Sequence, residues 1–132
     1  MHRLLPCSKL ILSLLALVLC AACSSAPAGA TSAGTVQAYL DALAAKDLNR
    51  MIGLSCAEWE SQARTEYDSF AAVKLALEDV ACKEASQAAD SATVACTGAI
   101  VASYGAEDLR LELAERIFKV TKEGGEWRMC GY

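Results

Sequence analysis

The chain has 132 residues, of which 55% are hydrophobic, and its 12 basic and 16 acidic residues give a net charge of −4. This acidic balance argues against a nucleic-acid partner, because nucleic acids require clustered basic side chains. The only histidine is His2. If His2 leaves with a cleaved leader, the mature chain has no Ser-His-Asp or Cys-His catalysis and no His-ligated metal site.

The first 22 residues follow the order of a secretory signal. Arg3 and Lys9 are its only charged residues, and an apolar run at 10–19 contains a single polar residue, Ser13. A run of this length is too short for a permanent transmembrane helix, which needs about twenty residues. A basic start, a short apolar stretch and small residues after it predict a cleaved signal peptide over 1–22.

The end of this signal resembles the lipobox of bacterial lipoproteins. Ala21 and Ala22 stand directly before Cys23, although Cys20 occupies the position where the motif usually has leucine. The resemblance implies that Cys23 becomes the new N-terminus and carries lipid, with palmitate among its acyl chains. The alternative is an ordinary cleaved signal beside a free cysteine.

Small residues and one proline make up residues 24–34. This composition predicts a flexible, lipid-anchored tether over 23–34. The chain is therefore expected at the cell membrane or cell envelope, outside the cytoplasm, with the membrane as a partner through its lipid. Removal of residues 1–22 takes away Arg3 and Lys9 and no acid, which leaves ten basic against 16 acidic residues and a net charge of −6.

Three helices are predicted in the first half of a single domain over 35–132. Thr35 is the predicted N-cap of the first helix, in which apolar residues recur at helical spacing from Val36 to Leu43. Asp47 is the predicted N-cap of a short second helix. A third helix is predicted over 57–77, where apolar residues repeat by three, four and seven. Its opposite, charged face is interpreted as a solvated surface.

Beyond Glu78 the apolar period changes from helical to two, which predicts strands. Turns at 88–90, 104–106 and 124–125 separate four predicted strands. The apolar parity switches within the strand predicted over 109–120, and such a switch predicts a bulge near Glu115. The predicted fold is therefore α+β, with three N-terminal helices packed on a curved four-stranded antiparallel sheet.

The cysteines give the strongest structural signal in the sequence. With Cys7 and Cys20 lost with the signal and Cys23 lipidated, an even number remains, which in a small exported domain predicts disulfides. A zinc site is the competing interpretation, but structural zinc ligands usually come in closely spaced pairs. We therefore predict no metal site and no cofactor. The four remaining cysteines are Cys56, Cys82, Cys96 and Cys130.

Strand register selects the pairing of these cysteines. Cys82 and Cys96 flank the turn at 88–90 symmetrically and share the parity of the neighbouring apolar residues. They are expected to face each other across the hairpin. Cys56, at the start of the third helix, then remains to pair with Cys130 in the last strand.

Three segments, 36–52, 77–104 and 118–132, resemble small bacterial lipoproteins of the nuclear-transport-factor-2-like superfamily. The resemblance implies a cone in which helices pack against a strongly curved sheet. The superfamily includes isomerases, cyclases and transport adaptors, so the fold alone does not fix a function. No catalytic residue of the superfamily can be matched by motif in this sequence, and none is assigned.

Three functions of different classes fit the sequence. The leading hypothesis is a non-catalytic binding or envelope-interaction domain, whose protein or small-molecule partner the sequence does not identify. The second is a carrier or sensor of a small apolar ligand, and the third is a carboxylate-based isomerase or cyclase-like enzyme. A filled cone favours the first, a deep cavity the second, and a carboxylate buried in that cavity beside a tyrosine the third. The aromatic residues predicted either to line a cavity or to form plain core are Tyr39, Trp59, Tyr67, Phe118 and Trp127.

Overall fold

A computed structural model describes residues 27–132, so the predicted signal peptide at 1–22 and the predicted lipidation of Cys23 lie outside the described residues. The helices are α1 (Ser32–Ala44), α2 (Leu48–Leu54) and α3 (Glu60–Phe70). The strands are β1 (Lys74–Gln87), β2 (Ser91–Tyr104), β3 (Glu107–Glu112), β4 (Ile117–Glu123) and β5 (Glu126–Gly131). The predicted α+β order, three helices followed by antiparallel strands, is confirmed.

Helix α1 begins earlier than predicted because Thr31, and not Thr35, is its N-cap. The Thr31 side chain accepts a hydrogen bond from the Gly34 amide at 3.0 Å. Thr35 is instead buried inside the helix, where its hydroxyl donates to the carbonyl oxygens of Thr31 and Trp127, at 2.9 Å and 3.2 Å. Thr31 thus caps the helix, whereas Thr35, four positions later, is part of the core.

The N-cap predicted for the second helix is confirmed, because the Asp47 side chain accepts from the Arg50 amide at 3.0 Å. The predicted bounds of the third helix are wrong, since α3 ends at Phe70 and Leu77 belongs to β1. Residues 75 and 77 point inward with a period of two, but a bulge at Asp79 then shifts the inward parity to even residues. Because of this shift, the first half of β1 does not continue the apolar spacing of the second half, and it was not predicted as a strand.

Strand β2 lies at the centre of the sheet. Strand β1 pairs along one edge of β2, while β3 and β4 follow each other along the other edge. Strand β5 pairs with β4 and completes the sheet. The sheet therefore has five strands and not the predicted four, because the strand predicted over 109–120 divides into β3 and β4.

The division of this strand confirms the predicted position of an irregularity near Glu115. The irregularity is a 3₁₀ turn and not a simple bulge. Residues 96–98 of β2 lie opposite residues 113–116, so one extra residue enters the second chain segment. The extra residue is accommodated by a 3₁₀ turn, Leu113–Glu115, in which Leu113 is fully buried and Glu115 is exposed. On the other side of Gly98, Asp79 and Val80 bulge from β1. Because a bulge bends its strand and increases the local twist, the sheet is expected to bend where these irregularities face each other.

The core fills the space between α1 and the concave face of the sheet. Tyr39 and Phe118 are both 0% exposed. No helix among residues 27–132 is both long and apolar enough to cross a bilayer. The other large side chains that are almost completely buried are Leu40, Leu43, Met51, Ile100, Leu113 and Met129.

A turn before α1 covers the outer edge of β5. The Trp127 amide donates to the Gly29 carbonyl at 2.9 Å, and Gly29 is buried. Further along the same edge, the Cys56 amide donates to the Met129 carbonyl at 2.8 Å. The tether predicted over 23–34 is thus wrong for residues 27–34, because small side chains let this backbone approach the strand edge; residues 23–26 lie outside the described part.

Both disulfides have the predicted connectivity. Cys82 lies directly opposite Cys96 in the β1–β2 ladder, with their Cα atoms 4.1 Å apart. Cys56 and Cys130 are joined with a Cα separation of 5.4 Å. Cys130 is the extra residue where the β4–β5 register shifts, and this position aims it at the segment before α3. The four sulfurs are bonded in two pairs. None of these four is therefore free to bind zinc.

Candidate functional site

A buried carboxylate lies on the inward face of α3. Glu66 is 8% exposed, and its two oxygens accept hydrogen bonds from the hydroxyls of Tyr39 and Tyr132, each at 2.7 Å. The Trp59 indole N–H in turn donates to the Tyr39 hydroxyl oxygen at 3.3 Å. We call Tyr39, Trp59, Glu66 and Tyr132 the tyrosine–carboxylate cluster.

Local packing brings the members of this cluster together. Trp59 and Glu66 are seven positions apart, or about two helical turns, so both face the core. Tyr132 follows Gly131, whose φ is +132°, and a Cβ atom at residue 131 would lie 3.3 Å from the Trp59 ring. Glycine therefore permits the close approach of Trp59 to the end of β5.

The Tyr132 ring is held on several sides. It packs edge-on against Trp59 and Phe118, with ring centroids 5.6 Å and 5.5 Å away. The Arg116 guanidinium lies 4.6 Å from the centroid of the same ring, within the range of a cation–π contact. Although Tyr132 is 44% exposed, both its hydroxyl and its ring are thus fixed by contacts.

The environment keeps both tyrosine hydroxyls protonated. Burial and then the adjacent Glu66 carboxylate raise the pKa of Tyr132 to about 12. The same two causes, in the same order, raise the pKa of Tyr39 far above its ordinary value. Both tyrosines are therefore donors at neutral pH, and Glu66 is their shared acceptor.

A cleft of about 230 Å³ opens to solvent beside Glu66. Tyr132 occupies one wall of the cleft and takes one carboxylate oxygen, while the buried Tyr39 takes the other. Each carboxylate oxygen thus already accepts one tyrosine hydroxyl, and Tyr132, at 44% exposure, is the one that a ligand in the cleft could displace. The other residues that line the cleft are Gln62, Thr65, Ser69, Phe70 and Arg116.

The aromatic residues predicted from the sequence do not surround one cavity. Tyr39, Trp59 and Phe118 meet around the cluster, whereas Tyr67 packs partly buried against the core. Trp127 contributes to the core at the β4–β5 end, with Lys122 Nζ 4.9 Å from its ring centroid. The structure thus supports the alternative that these residues form plain core.

Three residues of this site were not predicted from the sequence: Glu66, Arg116 and Tyr132. A signal for Glu66 was present, because residues 59, 63, 66 and 70 recur at helical spacing, and this places an acid on the apolar face. Nothing in the local sequence indicates that Tyr132 returns to this acid across 66 positions. Arg116 follows the 3₁₀ turn. The switch in apolar spacing predicted a bulge there and not a turn of this form.

A second and wider groove, of about 530 Å³, lies near the β1–β2 turn. Polar residues of β1, β2 and β4 line it, together with Glu58 and the disulfide-bonded Cys130. Across residues 27–132, no three His, Cys, Asp or Glu side chains are grouped so that they could hold a metal ion.

No family model matches this chain, and no curated protein matches it. Among solved structures, the chain is similar to a SEC-C motif containing protein from Rhodopseudomonas palustris, with a TM-score of 0.55 and 13% identity over 79% of this chain and 78% of that one. It is also similar to a putative calcium/calmodulin-dependent protein kinase type II association domain from Thiobacillus denitrificans, with a TM-score of 0.52 and 15% identity over 81% of this chain and 99% of that one. At these identities the likeness shows the fold alone.

Proposed function

We propose that this chain is a lipid-anchored, exported domain that acts by binding or by supporting an envelope assembly. The observation that carries the proposal is the pairing of all four cysteines in residues 27–132. This pairing leaves Cys23 without a partner in the domain and therefore available for lipid. Disulfides persist in oxidising compartments, which supports a location at the cell membrane or envelope, outside the cytoplasm.

The fold and its interior support a role for the exterior surface. Similarity to the association domain from Thiobacillus denitrificans agrees with a cone of the nuclear-transport-factor-2-like kind, although such a cone serves many functions. In this chain Tyr39 and Phe118 occupy the interior and are fully buried. Because that space is filled by side chains, we assign binding to the exterior.

Lipid attachment can be tested by labelling cells with radioactive palmitate and separating the membrane fraction. We expect Cys23→Ala to lose the label and to leave the membrane fraction. Cys20→Leu is the matched control, since it removes the other cysteine and places leucine where a lipobox usually has it, and it should keep both properties. A labelled, membrane-bound Cys23→Ala protein would refute the proposal.

A second candidate function is carboxylate chemistry of the isomerase or cyclase kind. The observation that favours it is Glu66, a buried acid bonded to two tyrosines beside a cleft. A ligand hydroxyl that replaces that of Tyr132 would reach this acid from the cleft.

p-Cresol, which has the shape of the tyrosine side chain, tests whether the Tyr132 position accepts a ligand. We expect p-cresol to raise the Tm of Tyr132→Ala and to have little effect on the wild type. The double variant Tyr132→Ala/Glu66→Ala serves as the control for the hydrogen bond. No effect of p-cresol on Tyr132→Ala would argue against this candidate.

A further inference from the structure

The folded domain begins very close to the proposed lipid site. The Ala30 amide donates to the Pro27 carbonyl at 3.0 Å, and Gly29 is hydrogen-bonded to β5. Only residues 24–26 separate Cys23 from this docked turn. Since consecutive Cα atoms are about 3.8 Å apart, the Cα atoms of Cys23 and Pro27 are separated by about 15 Å at most.

The docked turn lies at one end of the sheet. The Gly29 carbonyl accepts from Trp127, Trp127 pairs with Lys122, and the Lys122 amide donates to the Asp90 carbonyl at 2.9 Å. These residues form a row across β5, β4 and the β1–β2 turn. Nearby, the Ser32 hydroxyl donates to the Glu84 carboxylate and fixes the start of α1 to β1. We call this end of the domain the anchor end.

The opposite end of the sheet lies far from the docked turn. Strand β2 runs from Ser91, at the anchor end, through 14 residues to Tyr104. At about 3.3 Å per residue, and allowing for the bend at Gly98, this strand carries the chain roughly 40 Å away. The β2–β3 turn at 105–106 forms the distal end, where Tyr104 and Leu109 are 50% and 48% exposed.

Charged side chains of both signs lie around the docked turn. Glu126, whose Cβ would lie 3.5 Å from a Cβ atom added at Gly29, forms an ion pair with Arg128 at 2.6 Å. Asp41 and Arg50 line the hollow beside Pro27. Glu84 and Asp90 add acidic side chains at the anchor end, and residues 27–132 together contain ten basic and 16 acidic residues, a net charge of −6. The orientation therefore depends on the length of the connection to Cys23 and not on charge.

We propose that the anchor end faces the lipid bilayer and that the β2–β3 turn points away from it. This orientation rests on the proposed lipidation of Cys23, and it follows from the length of chain left outside the docked turn. A tether over 23–34 would have let the domain turn freely. With Gly29 bonded to Trp127 of β5, the short connection holds Pro27, at the start of the docked turn, within about 15 Å of Cys23.

Photo-crosslinking in intact cells tests the orientation in the full chain. Benzoylphenylalanine is introduced in place of Ala28 or of Ala106, two exposed turn residues at opposite ends of the domain. After irradiation, mass spectrometry measures phospholipid adducts at each position and lipid on Cys23. We expect several-fold more phospholipid adduct at residue 28 than at residue 106.

A variant with about twenty Gly/Ser residues inserted after Ser25 is the matched control, since such a linker spans about 25 Å and releases the domain from the surface. It should keep the lipid on Cys23 and lose most of the adduct at residue 28. Equal adducts at both positions, or no effect of the insertion, would overturn the orientation while lipidation stands. Absence of lipid on Cys23 would overturn the orientation together with the proposed function.

Discussion

Gly98 is the residue at which the irregularities of β1 and of the β3–β4 connection meet. Its φ is +84°, and a Cβ atom at this position would lie 2.4 Å from the Glu78 carbonyl oxygen and 2.5 Å from that of Asp79. Both neighbours are backbone atoms, so they cannot move without opening the bulge. The bend of the sheet therefore depends on the absence of a side chain at this position.

We expect Gly98→Ala to lower the free energy of unfolding by about 3 kcal/mol, the upper part of the range for a strained backbone position, because it adds a clash to the strain. Gly105→Ala is the matched control, since its φ is +69° but no atom lies within 4 Å of the added Cβ. It should cost only about 1 kcal/mol. Denaturant unfolding measures both variants, and equal losses would contradict the close approach at Gly98.

The Tyr132 hydroxyl makes the free energy of unfolding depend on pH in the alkaline range. Its pKa rises from 10.0 in the unfolded chain to about 12 in the folded domain, so the folded state holds the proton more tightly. This contribution is complete below about pH 10 and is lost as the pH rises through about 12. We expect the stability advantage of the wild type over Tyr132→Phe to shrink across that interval, as followed by denaturant midpoints. A constant advantage from pH 8 to 12 would show that folding does not raise the pKa of Tyr132.

The two disulfides join different elements of the domain. Cys82–Cys96 joins neighbouring strands across 14 positions, whereas Cys56–Cys130 joins the segment before α3 to β5 across 74. The chain-entropy model gives about 3 kcal/mol for the shorter loop and roughly 4.5 kcal/mol for the longer one. Each is a large part of the ~5–15 kcal/mol typical of a whole domain.

We therefore expect the double variant Cys56→Ala/Cys130→Ala to have a lower Tm than Cys82→Ala/Cys96→Ala, and both to melt below the wild type. Thermal unfolding followed by circular dichroism measures the order, and non-reducing peptide mapping confirms that the remaining bridge is intact in each variant. The reverse order would mean that the hairpin bridge stabilises more than its loop length implies.

The elements that the sequence predicted well are those with a local cause. The N-cap Asp47 and the three turns depend on residues next to one another, and the pairing of Cys82 with Cys96 depends on a short hairpin. The elements it predicted wrongly depend on distant contacts. Leu77 changes from helix to strand because β1 pairs with β2, and Asp79 adopts a φ of +50° opposite Gly98.

The candidate site shows the same division. Helical spacing alone places Trp59, the N-cap of α3, and Glu66 on one side of the helix, so the sequence pattern could have indicated the acid. Its two partners come from α1 and from the end of β5, and their meeting depends on tertiary packing. The docking of Gly29 on Trp127, 98 positions away, likewise had no local signal, and for this reason a folded turn was predicted as a tether.

The interior of the whole domain is filled by side chains such as Tyr39 and Phe118, which predicts a protein without a bound ligand. We expect native mass spectrometry of the detergent-extracted protein to give the mass of the mature chain plus its lipid and no further molecule. The Cys23→Ala variant provides the matched mass without lipid. A stoichiometric apolar compound in both proteins would favour the carrier hypothesis, because it would require space among the core side chains.

The cover over the outer edge of β5 has a consequence for aggregation. An open strand edge offers free N–H and C=O groups to a strand of another molecule, but here the amide of Trp127 and the carbonyls of Trp127 and Met129 are bonded to Gly29, Thr35 and Cys56. Part of that cover comes from the turn at 27–31. If Cys23 carries the proposed lipid, a protease that cuts before Ser32 would separate the domain from the membrane and, in the same step, leave the Trp127 amide without the turn that covers it. While the turn is intact, the Trp127 amide stays bonded to Gly29 and is closed to a strand of a neighbouring copy.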